Sequence, residues 1–283
     1  MRFKSASEVV AQVSTLVSLP DIYFQLKDMI QDSRYSMADI GRVISKDPGL
    51  SARLLRLVNS SFYGFQAKVE TLSRAVTIVG SDDLSNLVLA TCVMDRFVNI
   101  PSDLEDMTAF WMRSVHCAVV CKMLGQQSAA SNSERFFLAG LLRDIGVLVM
   151  YQVMPMQMAK VLFAINRDRR LLAGFEQQIV GFTHADVGRE LLQVWQLPES
   201  LVEIVGCGLL PDAAVKYRFD AHLLALAGRL VDDREFGRSI EQTLVGISDE
   251  SLVVMRLTRE QIEQVMQQAD DEFHEIFQHL LPV

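Results

Sequence analysis

Residues 136–151 read Phe-Phe-Leu-Ala-Gly-Leu-Leu-Arg-Asp-Ile-Gly-Val-Leu-Val-Met-Tyr, and the only charges in this run are the neighbours Arg143 and Asp144. A helix that is apolar on nearly all sides belongs at the centre of a helical protein, packed around its whole circumference. Residues 110–124 predict a second such helix, joined to residues 134–151 by the polar, small-residue stretch 125–133. Toward the N-terminus, Ser36 with Asp39 three later opens a helix carrying Ile40, Val43 and Ile44. Asp47-Pro48-Gly49 makes a turn, and Leu50, Leu54, Leu55 and Val58 share one face of a helix ending near Asn59. A further helix is expected over about 82–98, stopped by Asn99-Ile100-Pro101. Pro155, a bend at 181–183 and Leu197-Pro198 punctuate three or four more, up to about residue 231. Thr258 with Gln261 caps a last stripe formed by Ile262, Val265, Met266, Ala269, Phe273, Ile276, Phe277 and Leu280. No alternating strands joined by Asn-Gly or Asp-Gly occur, so the expected class is all-α with no significant sheet.

Composition narrows the function classes. Of 283 residues, 50% are hydrophobic and only 22 are Gly or Pro, which excludes disorder and collagen-like repeats. Net charge is −8, and the segment from residue 232 onward, with 12 acidic and 4 basic residues, carries all of it. Residues 33–74, with 7 basic and 3 acidic, are the only locally basic stretch. The helix-turn-helix look of residues 36–59 lacks a dense basic arm, so no DNA partner is expected. The apolar run 87–94 is interrupted by Thr91 and closed by Asn86 and Asp95, so no membrane span is expected. No apolar signal region follows the first residues, and Cys92, Cys117, Cys121 and Cys207 form no Cys-x-x-Cys pair. Both features lead to the expectation of a cytoplasmic protein with reduced thiols.

Adjacent residues on a helix point in different directions, so Arg143 and Asp144 are each expected to need a partner of their own. A buried unpaired charge costs several kcal/mol, about, so the dyad either ties neighbouring helices or marks a functional site. His116 lies on the other all-apolar helix, and His184 follows the bend at 181–183. Singly, each reads as a hydrogen-bonded core or helix-end residue. Together with Asp144 they bring two imidazoles and one carboxylate from three helices, a composition suited to a divalent metal. Cys117 and Cys121, four apart, need no account beyond small core residues.

Several stretches carry a resemblance. Leu141-Leu142-Arg143-Asp144-Ile145-Gly146 resembles the Leu-Leu-His-Asp-Ile-Gly form of the metal-binding dyad of HD-superfamily phosphohydrolases, with arginine in place of histidine. Leu19-Pro20 and the stretch from Ile44 through Asp47-Pro48, Asn59-Ser60 and Tyr63-Gly64 are similar to the HDOD (HD-related output domain) family. Ala75 to Gly80, Phe110-Trp111, Phe137 to Gly140, His184 to Gly188 and Trp195 to Pro198 continue that match in order, over about residues 15–230. The resemblance implies an HD-like helical fold. It puts His116 at the first metal-binding histidine, Arg143 at the dyad histidine, Asp144 at the dyad aspartate and His184 at the later histidine. A downstream His-His becomes Gly206-Cys207-Gly208, and the closing aspartate becomes Gly228.

These departures set the functional expectations. Arginine is always protonated and has no lone pair for a metal, so a dication and Arg143 exclude each other. Without a metal to acidify a bound water, hydrolysis lacks its nucleophile. The expectation is therefore no catalytic residue, no metal and no cofactor. Arg143 pairs with Asp144 if the helix geometry allows, otherwise with Asp186 or Glu190. The resemblance implies a non-catalytic signalling module whose partners are proteins. Its alternatives are a diverged phosphohydrolase using His116, Asp144 and His184 with one metal, or a sensor of a nucleotide or small anion in the vestigial pocket. The domain is expected over 1–231, with lobes 1–100 and 101–231, and an acidic helical extension over 232–283 packing on the core. The stripe along that extension could instead dock a partner or a second copy, and the 13 Met could serve adaptable contacts or ordinary core.

Overall fold

The computed structural model describes all residues except 1–2, 14–16, 61–62, 64, 66–67, 98–99, 129, 131–133 and 281–283. Residues 61, 62 and 64 of the Ser60–Gly64 motif, most of the 129–133 link and the expected stop at Asn99 therefore lie outside the described residues. Every regular element among the described residues is helical. The chain divides into two compact units, one formed by Met1–Val17 and Asn99–Ala269, the other by Ser18–Val98 and Asp270–Val283. The expected lobes 1–100 and 101–231 coincide with these only in part.

The first unit begins with α1 (Ala6–Val13). The second unit holds α2 (Asp21–Gln31), α3 (Met37–Ile44), α4 (Pro48–Val58), α5 (Leu72–Val79) and α6 (Ser81–Met94). Ser36 and Asp39 cap α3 reciprocally: the Ser36 side chain accepts from Asp39 N at 3.2 Å, and Asp39 accepts from Ser36 N at 2.8 Å. Asp47 caps α4, so Pro48 and Gly49 fall inside the first helical turn rather than in a separate turn. Asn59 clamps the return of the chain, donating to Val69 O at 2.8 Å and accepting from Val69 N at 2.7 Å.

Back in the first unit, α7 (Met107–Gln127) and α8 (Glu134–Leu142) pack side by side, followed by α9 (Ile145–Val153). The expected continuous helix 134–151 is thus two helices, broken at Arg143 and Asp144. Next come α10 (Pro155–Ile165), a 3-10 turn at Arg169–Leu171, α11 (Leu172–Ile179), α12 (His184–Val194) and α13 (Glu199–Gly206). The long α14 (Arg218–Glu235) runs through residue 231, where a domain boundary was expected, and α15 (Ile240–Val245) and α16 (Asp249–Met255) pack on it. α17 (Arg259–Leu280) buries Ile262, Val265, Met266 and Ala269 in the first unit, while Phe273 and Ile276, also buried, belong to the second.

Core burial explains the arrangement. Nearly every side chain of α7 from Phe110 to Leu124 and all of α9 from Ile145 to Tyr151 is buried, as an all-round apolar helix requires. By length and hydropathy, Arg135–Val153 equals a membrane span, contrary to expectation; yet it carries the break at its middle and 83% of it is buried within the protein. α1 packs against α9 and α12, and the Trp195 indole donates to Val17 O at 2.9 Å.

Candidate functional site

Gly146 decides how the site is assembled. A Cβ there would lie 2.7 Å from Gly188 N and collide with the His184 backbone, so only glycine lets α9 and α12 approach this closely. That approach brings the Arg143–Asp144 break against the first turn of α12. Thr183 and Asp186 cap α12 reciprocally, with Asp186 accepting from Thr183 N at 2.8 Å, which places His184 at the head of the helix.

The break changes what neighbours can do. Asp144 has φ −100° and ψ 11° and precedes α9, outside the helical path. From there its carboxylate meets the guanidinium of its own neighbour: Arg143 Nε donates to Oδ1 at 2.8 Å and Nη2 to Oδ2 at 2.8 Å. The expectation that Arg143 and Asp144 cannot neutralise each other is overturned, because it assumed an unbroken helix. Arg143 Nη2 also donates to Asp232, at 2.9 and 3.0 Å to its two oxygens. Asp186 serves the α12 cap instead, and neither it nor Glu190 pairs with Arg143.

A buried relay backs this fork. Glu176 on α11, fully buried, accepts from His184 N at 2.9 Å and faces His184 Nδ1 at 2.7 Å. His184 Nε2 then lies 3.6 Å from Asp144 Oδ1, and Arg169 Nη2 lies 3.6 Å from Asp144 Oδ2. Arg169 also donates to Glu105 at 3.3 Å, a carboxylate that accepts from Arg113 and Tyr151 as well.

The charges are locked by this geometry. Burial alone would raise the Asp144 carboxyl, but Arg143, His184 and Arg169 together hold it well below the usual carboxylate range. Burial would lower Arg143, yet Asp144 and Asp232 hold it well above its ordinary value. For His184, burial works downward and is outweighed by Glu176 and then Asp144, leaving the imidazole above 6.5. Burial pushes the nearby Cys117 thiol up to about 12, so it is no nucleophile.

Gly228 on α14 faces this cluster. A Cβ at 228 would run into the Arg143 guanidinium, 2.9 Å from both Cδ and Cζ. The Arg143 side chain thus fills the room that any larger residue at 228 would take. Gly206 repeats the pattern: a Cβ there would collide with the Arg189 side chain, which donates to Gly206 O at 2.7 Å. The metal ion implied by the HD resemblance does not fit these residues. Its place is taken by a guanidinium without lone pairs, already bound to two carboxylates, and no cluster of three or more His, Cys, Asp or Glu suited to a metal occurs among the described residues.

Arg143, Asp144 and His184 line a cavity of about 660 Å³. Three of the four expected site residues thus line one cavity; His116, half-buried on α7, is not among its lining residues. The sequence reading missed Asp232, Glu176, Arg169 and Glu105. Of these only Asp232 carried a signal, standing four residues after Gly228 and so on the same helix face.

The first unit is thus all-helical among its described residues, with the Arg143–Asp144 pair at a break between two buried helices. The family model for the HDOD domain matches residues 16–208, and the chain belongs to the HDOD family. The structure of a Shewanella amazonensis SB2B protein is similar with a TM-score of 0.78 and 24% identity, covering 98% of this chain and 99% of the other. An HDOD domain protein from Geobacter sulfurreducens gives 0.75 and 20%, covering 97% and 96%. An uncharacterized protein of Treponema pallidum (strain Nichols) is 26% identical over 204 residues. The match takes in 71% of this chain but only 39% of that curated relative's length.

Proposed function

We propose that the chain is a regulatory HDOD module that works without catalysis, through protein partners of a cytoplasmic signalling pathway. The observation that carries the reading is the Arg143 guanidinium, clamped between Asp144 and Asp232 and filling the space opposite Gly228. Hydrolysis of a phosphoester at neutral pH needs an activated water, and a fixed cation in this position repels the metal that would activate it. His184 is held by Glu176 through Nδ1, and its Nε2 faces Asp144 at 3.6 Å rather than the open cavity alone. Two names in the neighbourhood point in different directions: the Shewanella amazonensis protein is named with the word phosphohydrolase, and a similar structure from Marinobacter aquaeolei VT8 with the words signal transduction. The residues at 143, 206 and 228 favour the second. Four unpaired, buried cysteines fit a reducing compartment.

The test is elemental analysis of freshly purified protein together with assays on nucleotide and phosphoester substrates supplied with Mg, Mn, Fe or Co. The expected outcome is substoichiometric metal and no turnover, with a specific protein partner retained in pull-downs. Robust turnover abolished by Asp144→Ala would overturn the reading.

A further inference from the structure

The cavity beside the dyad has a wall that the Arg143 cluster does not use. On Asp233 of α14, only 1% exposed, three arginines converge: Arg170 at 3.4 Å, Arg229 at 3.8 Å and Arg238 at 3.8 Å. Arg170 is also held by Asp168 and stacks on the Phe236 ring at 4.5 Å. Arg229 gives one further hydrogen bond, to Gly246 O at 2.8 Å. Among the described residues the Arg238 side chain meets Asp233 at 3.8 Å, a loose contact.

The charges do not balance at this wall. Three permanently charged guanidiniums face two aspartates, and one of those, Asp233, is buried and shared. Arg229 and Arg238 are about two-fifths exposed, carry more N–H groups than the contacts just named use, and both line the cavity. Beyond them the cavity is faced by apolar side chains, among them Leu172, Val205 and Leu224. A cationic wall with spare planar donors, beside an apolar surface in a space of about 660 Å³, matches one ligand chemistry. We propose that this cavity binds a small organic phosphate, with the phosphoryl oxygens on Arg229 and Arg238 and the apolar or planar part of the molecule against the leucine and valine surface. Arg143 Nε and Nη2 and His184 Nδ1 are already given to Asp144, Asp232 and Glu176, so recognition is assigned to Arg229 and Arg238. The proposal rests on the non-catalytic reading above: the ligand is held and released unchanged.

The experiment uses the full chain without added metal, with 5′-AMP, 5′-GMP, ribose 5-phosphate and inorganic phosphate as probes. Thermal melts come first, and calorimetry then measures affinity. At a hundredfold excess over Kd, at least one organic phosphate is expected to raise Tm by about 5 °C or more. Arg229→Gln and Arg238→Gln should each weaken that binding by about tenfold or more, while Arg74→Gln, an exposed arginine in the other unit, leaves it unchanged. No shift with any organic probe, an equal response to inorganic phosphate alone, or binding indifferent to Arg229→Gln and Arg238→Gln overturns the proposal. Release of inorganic phosphate from a bound monoester would instead overturn the non-catalytic reading while leaving the binding site in place.

Discussion

Replacing Arg143 by methionine keeps most of the volume of the side chain and removes its charge. Asp144 and Asp232 both accept from the same Nη2, at 2.8 and 2.9 Å, so they lie no farther apart than those two bonds laid end to end. At an effective dielectric of ~20, two unit charges about 5–6 Å apart repel by roughly 3 kcal/mol. Removing one member of a buried pair costs about 3–5 kcal/mol. Arg169 and His184, each 3.6 Å from Asp144, offset part of the loss, and Asp232 retains 15% exposure, so we expect Arg143→Met to cost about 3 kcal/mol at pH 7. For a chain of this size that is a fall in Tm of roughly 6–12 °C. The sign with pH is diagnostic. In the variant the two carboxylates repel, so the penalty is largest when both are charged and fades as pH falls and one of them takes up a proton. Urea melts of wild type, Arg143→Met and Arg143→Met with Asp144→Asn across pH 4.5–8 measure it, and the second change should restore more than half of the loss. A deficit below about 1 kcal/mol, or one that is the same at every pH, would refute the idea that the guanidinium holds two carboxylates together.

Other expectations follow from the same geometry. Gly228→Ala should cost about 1–3 kcal/mol because its Cβ displaces the Arg143 guanidinium, but in an Arg143→Ala background it should be neutral or stabilise by up to ~1 kcal/mol, as alanine does inside a helix; equal penalties in both backgrounds would show that the two side chains do not share that space. His184 is held above 6.5 in the fold, so its contribution is complete below pH 6.5 and is lost as pH rises through the raised value; chemical denaturation should show stability declining over that window, and Glu176→Gln should flatten the decline. Trp195→Phe removes the hydrogen bond to Val17 O and should lower stability by about 1 kcal/mol, read by urea titration, with faster amide exchange in α1.

The all-α class was legible because periodicity is local: the capping pairs Ser36–Asp39 and Thr258–Gln261 both form. The break after Leu142 was not, since an Arg-Asp pair inside an apolar run obeys helical periodicity equally well. Beside the break, α9 approaches α12 closely at Gly146, a tertiary fact with no local signature. That break is also why the adjacent pair can form a fork, the first of the partners expected for Arg143, with Asp232 joining it in place of Asp186 or Glu190. Gly228 was legible as a lost side chain, but what fills the room became visible only with the helices in place. Glu176 and Glu105 sit among ordinary helix residues, and nothing in their spacing marks them as buried anchors.

The four cysteines, all free and buried, make the chain its own recorder of motion. Burial pushes Cys92 up to about 11 and Cys117 up to about 12, so in the closed protein a thiolate is scarce as well as hidden from an alkylating reagent. Cys92 belongs to one compact unit and Cys117, Cys121 and Cys207 to the other. Each adduct that mass spectrometry counts therefore timestamps the opening of a particular half of the chain, with no label to engineer.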